Sequence, residues 1–102
     1  MLTSIFSIEK ASARDDVEAV YNTMRKLERL ATVDNAIACV LMIYLQPIAS
    51  ALYMYDVFNS IELWIDRSDS EAVTRELKAA IQAATDEGWR RQYQVMLDRK
   101  SR

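Results

Sequence analysis

Histidine, glycine, proline and cysteine are scarce in this chain of 102 residues, which has no histidine and only one each of the other three. Without histidine the chain lacks the commonest general base and the commonest protein ligand of transition metals. A single cysteine can form neither an internal disulfide nor a zinc or iron–sulfur site. One glycine is too few for a phosphate-cradling loop or a dinucleotide-binding motif. We therefore expect no metal, no cofactor and no enzymatic activity.

The same shortage bears on the fold class. All-β domains need turn residues at intervals of about 8–12 positions, and this chain cannot supply them. Long helices joined by short polar segments do not need them. Hydrophobic residues make up 51% of the chain, which is enough to form a core. The sequence predicts a single all-α domain over residues 1–102, folded as a compact helical bundle of three to five helices.

Charge, cysteine content and the start of the chain indicate which partners and which cellular compartment to expect. The 13 basic and 15 acidic residues leave a net charge of −2, which indicates neither general affinity for nucleic acids nor mimicry of DNA. Cys39 lies in an apolar run, where a buried and unreactive thiol is expected. The start of the chain lacks the basic and long apolar regions of a secretory signal. These features favour a cytoplasmic protein.

The first long helix is predicted from about Ser12 to Ala31, with Ser12 and Asp15 as an N-terminal capping pair. Residues 1–11 precede it and are unusually apolar for a chain terminus. This arm is either a short first helix within the same core or a segment that contacts the bundle or a neighbouring chain. Its residues Ile5 and Phe6 are therefore candidate interface residues.

Residues 36–55 contain no charged side chain. A run of about 18 or more such residues is a candidate membrane span, so a membrane-associated protein with residues 36–55 inserted is one alternative. However, Gln46 and Pro47 interrupt the run, and no basic residue flanks it directly. A buried central helix that is apolar nearly all round is the interpretation we favour.

Pro47 is expected to kink or break this central helix. Proline lacks a backbone N–H group and disfavours helical geometry at the preceding residue, here Gln46. Residues 35–66 therefore form either one kinked helix or two helices joined near Gln46, and we favour two. Asp34 or Asn35 is expected to cap the start of the segment.

A second apolar stripe follows the glycine near the end of the chain. The last long helix is expected to begin at a cap formed by Ser68 or Ser70. Beyond Gly88, apolar residues recur at helical spacing, about 120° around from the earlier stripe of this helix. Either the helix breaks near Gly88, so that both stripes face one core, or it continues and the second stripe faces a partner. Because Trp and Tyr are enriched at interface hot spots, the candidate interface residues are Trp89, Tyr93, Met96 and Leu97.

Charged clusters offer two further possibilities. Asp56, Glu62 and Asp66 lie on one predicted helix, where a solvated helix face explains them without catalysis or metal binding. Basic residues near the C-terminal aromatics could hold phosphates and stack on bases, or could complement the dipole of their own helix, which we favour. These basic residues are Arg90, Arg91, Arg99 and Lys100.

The residues together favour a non-enzymatic interaction protein, such as an adaptor, a chaperone-like protein, an inhibitor or a regulator. It would present a helical face to another protein or to a second copy of itself. A homodimer is the expected form, because twofold dimers are the commonest oligomers. The alternatives are a membrane-associated protein and a nucleic-acid-associated protein that uses its basic C-terminal end. No small-molecule substrate is evident.

Overall fold

Five helices account for most of the part of the chain that the structure describes. The computed structural model describes residues 13–100, with side-chain burial from residue 15. The prediction of an all-α bundle of three to five helices is confirmed for this part. The arm of residues 1–11, with Ile5 and Phe6, and the capping residue Ser12 lie outside the described residues. The helices are α1 (Ala13–Ala31), α2 (Asn35–Ala51), α3 (Tyr55–Arg67), α4 (Glu71–Ala83) and α5 (Glu87–Lys100).

Helices α2 and α4 begin at side-chain caps, each formed by one of the two residues that the sequence predicts for it. The carboxylate of Asp34 accepts a hydrogen bond from the backbone N–H of Ile37 at 3.1 Å, at the start of α2. The Ser70 hydroxyl accepts one from the N–H of Ala72 at 3.2 Å, at the start of α4. Each cap satisfies a backbone donor that has no partner within its own helix.

Helix α2 lies at the centre of the bundle. It packs against α1, α3 and α4, while α5 packs against α3 and α4. Side chains from all five helices form one continuous core. Full burial of an aliphatic side chain of this size contributes about 1.5–3 kcal/mol, so the core is the main source of stability. Each helix contributes at least one fully buried side chain, and in the order α1 to α5 these include Val20, Met42, Ile61, Leu77 and Met96.

The helical conformation is interrupted between α4 and α5, just before Gly88. Residues 84–86 separate the two helices, and the Asp86 carboxylate caps α5 by accepting from the N–H of Trp89 at 3.0 Å. The break turns α5 back onto the bundle, so that its apolar stripe faces the same core as that of α4. Of the two alternatives at Gly88, the break within a single fold is confirmed.

Pro47 lies inside α2 rather than at a helix boundary. The helix continues for another turn, and the chain bends at residues 52–54 before α3 begins. Two helices are present, but the predicted junction near Gln46 is wrong. The reason is a tertiary contact: Pro47 has no N–H to donate to the carbonyl of Ile43, and the hydroxyl of Tyr93 donates to that carbonyl at 3.3 Å.

The end of α2 has the hydrogen bonds of a Schellman motif. The N–H of Met54 donates to the carbonyl of Ala49 at 2.9 Å, and the N–H of Tyr53 donates to that of Ser50 at 3.0 Å. Tyr53 adopts φ 57°, which lies in the left-handed region where this motif usually has glycine. A side chain with a Cβ atom is therefore held there in a strained conformation.

Replacing Tyr53 by glycine is expected to stabilise the fold by about 0.5–1 kcal/mol, because the left-handed strain of about 1–2 kcal/mol exceeds the entropy that glycine adds to the unfolded chain. Chemical denaturation in urea would measure the difference. Tyr53→Ala is the control, since it removes the ring and keeps the strain. A glycine variant no more stable than the alanine variant would contradict the assignment of strain.

Candidate functional site

The four candidate interface residues of α5 lie against the core of the chain itself. Tyr93, Met96 and Leu97 are buried, and Trp89 is half-buried. The ring of Trp89 packs against those of Phe58 and Tyr93, with centroids 6.1 Å and 5.4 Å away. Packing within the bundle thus accounts for these four apolar residues. Their side chains are buried or half-buried and leave little surface for a partner.

The basic residues near the end of α5 connect this helix to α3. The Arg99 guanidinium lies 2.8 Å from the Glu62 carboxylate and 3.8 Å from that of Asp66, which explains why two acidic residues occupy neighbouring turns. The Lys100 ammonium donates to the carbonyls of Ile65 and Ser68 at the end of α3. Cations at this position complement the negative end of a helix.

The other two basic candidates lie at the opposite end of α5. The Arg90 guanidinium pairs with the Glu87 carboxylate at 3.0 Å and donates to the carbonyl of Ala84 at 2.8 Å, while Arg91 is exposed. Nine residues of helix, about 14 Å at 1.5 Å per residue, separate Arg90 from Arg99. The four candidates therefore do not form one continuous basic patch.

Cys39 is fully buried, as the sequence predicts. Burial raises the pKa of its thiol, and its sulfur lies 3.7 Å from the carbonyl oxygen of Trp64. Within residues 13–100, no three or more side chains of metal-binding type are grouped so that they could hold an ion. In the same part of the chain, no helix has the length and apolar character needed to cross a bilayer.

A polar groove of about 210 Å³ lies between α1 and α3, which is smaller than the roughly 300–1,000 Å³ of typical ligand sites. Two hydrogen bonds join the helices along it. The Tyr21 hydroxyl donates to the Asp56 carboxylate at 2.7 Å, and the Trp64 indole donates to the Glu28 carboxylate at 3.3 Å. Both carboxylates thus connect helices, and we assign the groove a structural role.

Replacing Tyr21 by phenylalanine is expected to raise the pKa of Asp56, because the Tyr21 hydroxyl is the main cause of the lowered pKa of that carboxyl. A group with a lowered pKa stabilises the fold above its unfolded pKa, and this contribution is lost as pH falls through the folded value. The variant should therefore lose less stability on acidification. An NMR titration of the Asp56 carboxyl would measure the shift, with Tyr53→Phe as a control that leaves it unchanged.

The bundle leaves a row of apolar side chains uncovered along the outer side of α2. Ile37 is 52% exposed, Tyr44 43% and Leu41 37%, although α2 is the central helix. We define the outer face of α2 as Ile37, Leu41, Tyr44, Ile48 and Ala51, of which Ile48 is half-buried and Ala51 exposed. Side chains spaced by three and four residues lie on one side of a helix, so these five form a continuous surface without charge.

One hydrogen bond fixes the aromatic residue at the middle of this face. The Tyr44 hydroxyl donates to the Glu76 carboxylate of α4 at 2.5 Å. Burial, with Glu76 as a second cause, raises the pKa of Tyr44 to about 12, so the hydroxyl stays a donor at neutral pH. Ala72, Ala79 and Ala83 lie three, four or seven residues from Glu76 and share its side of α4. Along its own side of α4, Glu76 is therefore flanked by small apolar side chains.

Isolated apolar residues elsewhere on the surface provide a comparison. Leu63 on α3 is 49% exposed and Val95 on α5 is 40% exposed. Polar residues flank each of them on its own helix. Scattered residues of this kind are usual on protein surfaces, whereas a row of apolar residues along an entire helix is not.

Comparisons with protein-family models, with curated proteins and with solved structures gave no match. The functional interpretation therefore rests on the chain's own surfaces. The sequence predicted interface residues on α5 but did not reveal the outer face of α2. The spacing of Ile37, Leu41, Tyr44 and Ile48 is that of one helix face. Because the opposite side of α2 is apolar as well, this spacing alone does not indicate which side is exposed.

Proposed function

We propose that this chain is a non-enzymatic protein–protein interaction module, acting in the cytoplasm, that docks a helix of its partner on the outer face of α2. The observation that carries the proposal is the uncharged apolar row along the whole exposed side of the central helix. Exposed apolar rows of this kind characterise binding surfaces. The inner side of α2 is buried in the core, so the helix that carries the face is formed before binding and little ordering is needed.

Site-specific photo-crosslinking in cells tests this function. A photoreactive residue is introduced by Ile37→p-benzoylphenylalanine, and the matched control is Leu63→p-benzoylphenylalanine, because the two native side chains are similarly exposed at 52% and 49%. We expect discrete protein adducts from position 37 and none from position 63. A second change, Leu41→Glu, should abolish the adducts by placing a charge in the apolar face.

Circular dichroism of each variant would confirm that the helices remain folded. Equal or absent crosslinking at positions 37 and 63 would contradict the proposal, because it would show that the outer face of α2 contacts other proteins no more than an isolated surface leucine does.

A further inference from the structure

We infer that the partner docked on the outer face of α2 is a second copy of this chain, bound through the same face about a twofold axis. This inference rests on the proposed function and names the partner of the same surface. Its basis is the spacing of the face, its lack of charge and its extent.

The spacing of the face is that of a helix-pairing seam. Ile37, Leu41, Tyr44, Ile48 and Ala51 follow one another at intervals of four, three, four and three residues, as do the a and d positions of a coiled coil. Residues in this register insert between four side chains of a facing helix. The face therefore fits a helix with an apolar seam of its own.

The chain itself presents such a helix. Among residues 15–100, α2 is the one helix that exposes more than two large apolar side chains, namely Ile37, Leu41 and Tyr44. Two copies of α2 are thus self-complementary, which a twofold interface requires because the same patch is used on both subunits.

The charge pattern favours a second copy over a foreign partner. Residues 36–55 carry no charge, so pairing α2 with its copy places no like charges opposite each other along the seam. Interfaces between different proteins are commonly selected by opposite charges on the two partners, and the outer face of α2 offers none. The neighbouring carboxylate, Glu76, already accepts the Tyr44 hydroxyl.

The extent of the face predicts the strength of the dimer. From Ile37 to Ala51 the seam is about 21 Å long at about 1.5 Å per residue, and one helix is about 10 Å wide. This footprint is small beside the roughly 800 Å² that each partner contributes to a standard interface. A weak and reversible dimer with a dissociation constant of about 0.1–1 mM is therefore expected.

Sedimentation equilibrium of the full chain tests the inference over a concentration range from about 1 µM to about 1 mM. The mass should rise from 11.8 kDa towards twice that value. Leu41→Glu should raise the dissociation constant by about 30-fold or more, the size of a hot-spot effect. The control Leu63→Glu should dimerise like the unaltered chain.

The crosslinking from position 37 distinguishes this inference from the proposed function. An adduct of twice the chain mass, together with dimers sensitive to Leu41→Glu, supports both. A chain that stays monomeric at all concentrations but forms adducts of another mass from Ile37→p-benzoylphenylalanine overturns the second-copy inference and leaves the proposed function standing. Dimers that Leu41→Glu does not weaken also overturn the inference. A monomer without adducts overturns both.

Discussion

Tyr93→Phe is expected to destabilise the protein by about 1 kcal/mol or more, although it removes a single oxygen atom. The Tyr93 hydroxyl donates to the Ile43 carbonyl, which Pro47 leaves without an intrahelical donor. A buried acceptor left unpaired costs about 1–3 kcal/mol. The distance of 3.3 Å is longer than the usual O–H···O separation of about 2.7–2.8 Å, so the lower part of that range applies. Urea denaturation would measure the change.

Replacing Pro47 by alanine tests the reason for this effect. Alanine supplies the missing N–H to the Ile43 carbonyl, so the hydroxyl of Tyr93 is no longer its required donor. Pro47→Ala should itself stabilise the fold, because proline inside a helix costs about 3 kcal/mol, partly offset by about 0.4–1 kcal/mol from its restraint of the unfolded chain.

The two changes together form a double-mutant cycle. In the Pro47→Ala background, Tyr93→Phe is expected to cost clearly less than in the unaltered chain, with a coupling energy of about 0.5–1 kcal/mol or more. Tyr21→Phe, which removes the α1 hydroxyl that donates to Asp56, is the control and should cost the same in both backgrounds. If Tyr93→Phe also costs the same in both, the proline and the hydroxyl are not linked.

The hydrogen bond from Tyr93 to Ile43 explains why the sequence predicted the junction between the two helices at the wrong position. Proline chemistry concerns the four preceding residues, and on that basis a junction near Gln46 is the reasonable prediction. The donor that allows α2 to continue comes from Tyr93, about 50 positions later in the chain. Only the return of α5 onto the bundle brings that hydroxyl to Ile43, and no local pattern in residues 35–66 contains this information.

Where a helix begins or ends through hydrogen bonds between close sequence neighbours, the residue types narrowed the structure to two alternatives. The sequence predicted Asp34 or Asn35 and Ser68 or Ser70 as caps, and either a break or a continuous helix at Gly88, and the structure shows the caps at Asp34 and Ser70 and the break. In these cases the deciding hydrogen bonds join residues two or three positions apart. The outer face of α2 is different, because a helix that is apolar on both sides has no periodicity to show which side the other helices cover.

Met96→Ala is expected to have the largest effect of the single substitutions considered, a loss of about 2–5 kcal/mol in the free energy of unfolding. Met96 is fully buried in the core, so truncation leaves a cavity in addition to the lost burial of its side chain. The adjacent Val95 is 40% exposed, and Val95→Ala should change stability by no more than about 0.5 kcal/mol. Thermal and urea denaturation of the two variants would measure the contrast.

The same pair of variants decides between a core role and an interface role for the stripe on α5. If the stripe packs within the chain, Met96→Ala lowers stability equally at all protein concentrations, and the folded fraction dimerises with unchanged affinity. A partner surface at Met96 would give the opposite result, with little loss in the stability of the monomer and a large loss of association. Because no solvent reaches Met96, the first outcome is expected, and association should instead respond to Leu41.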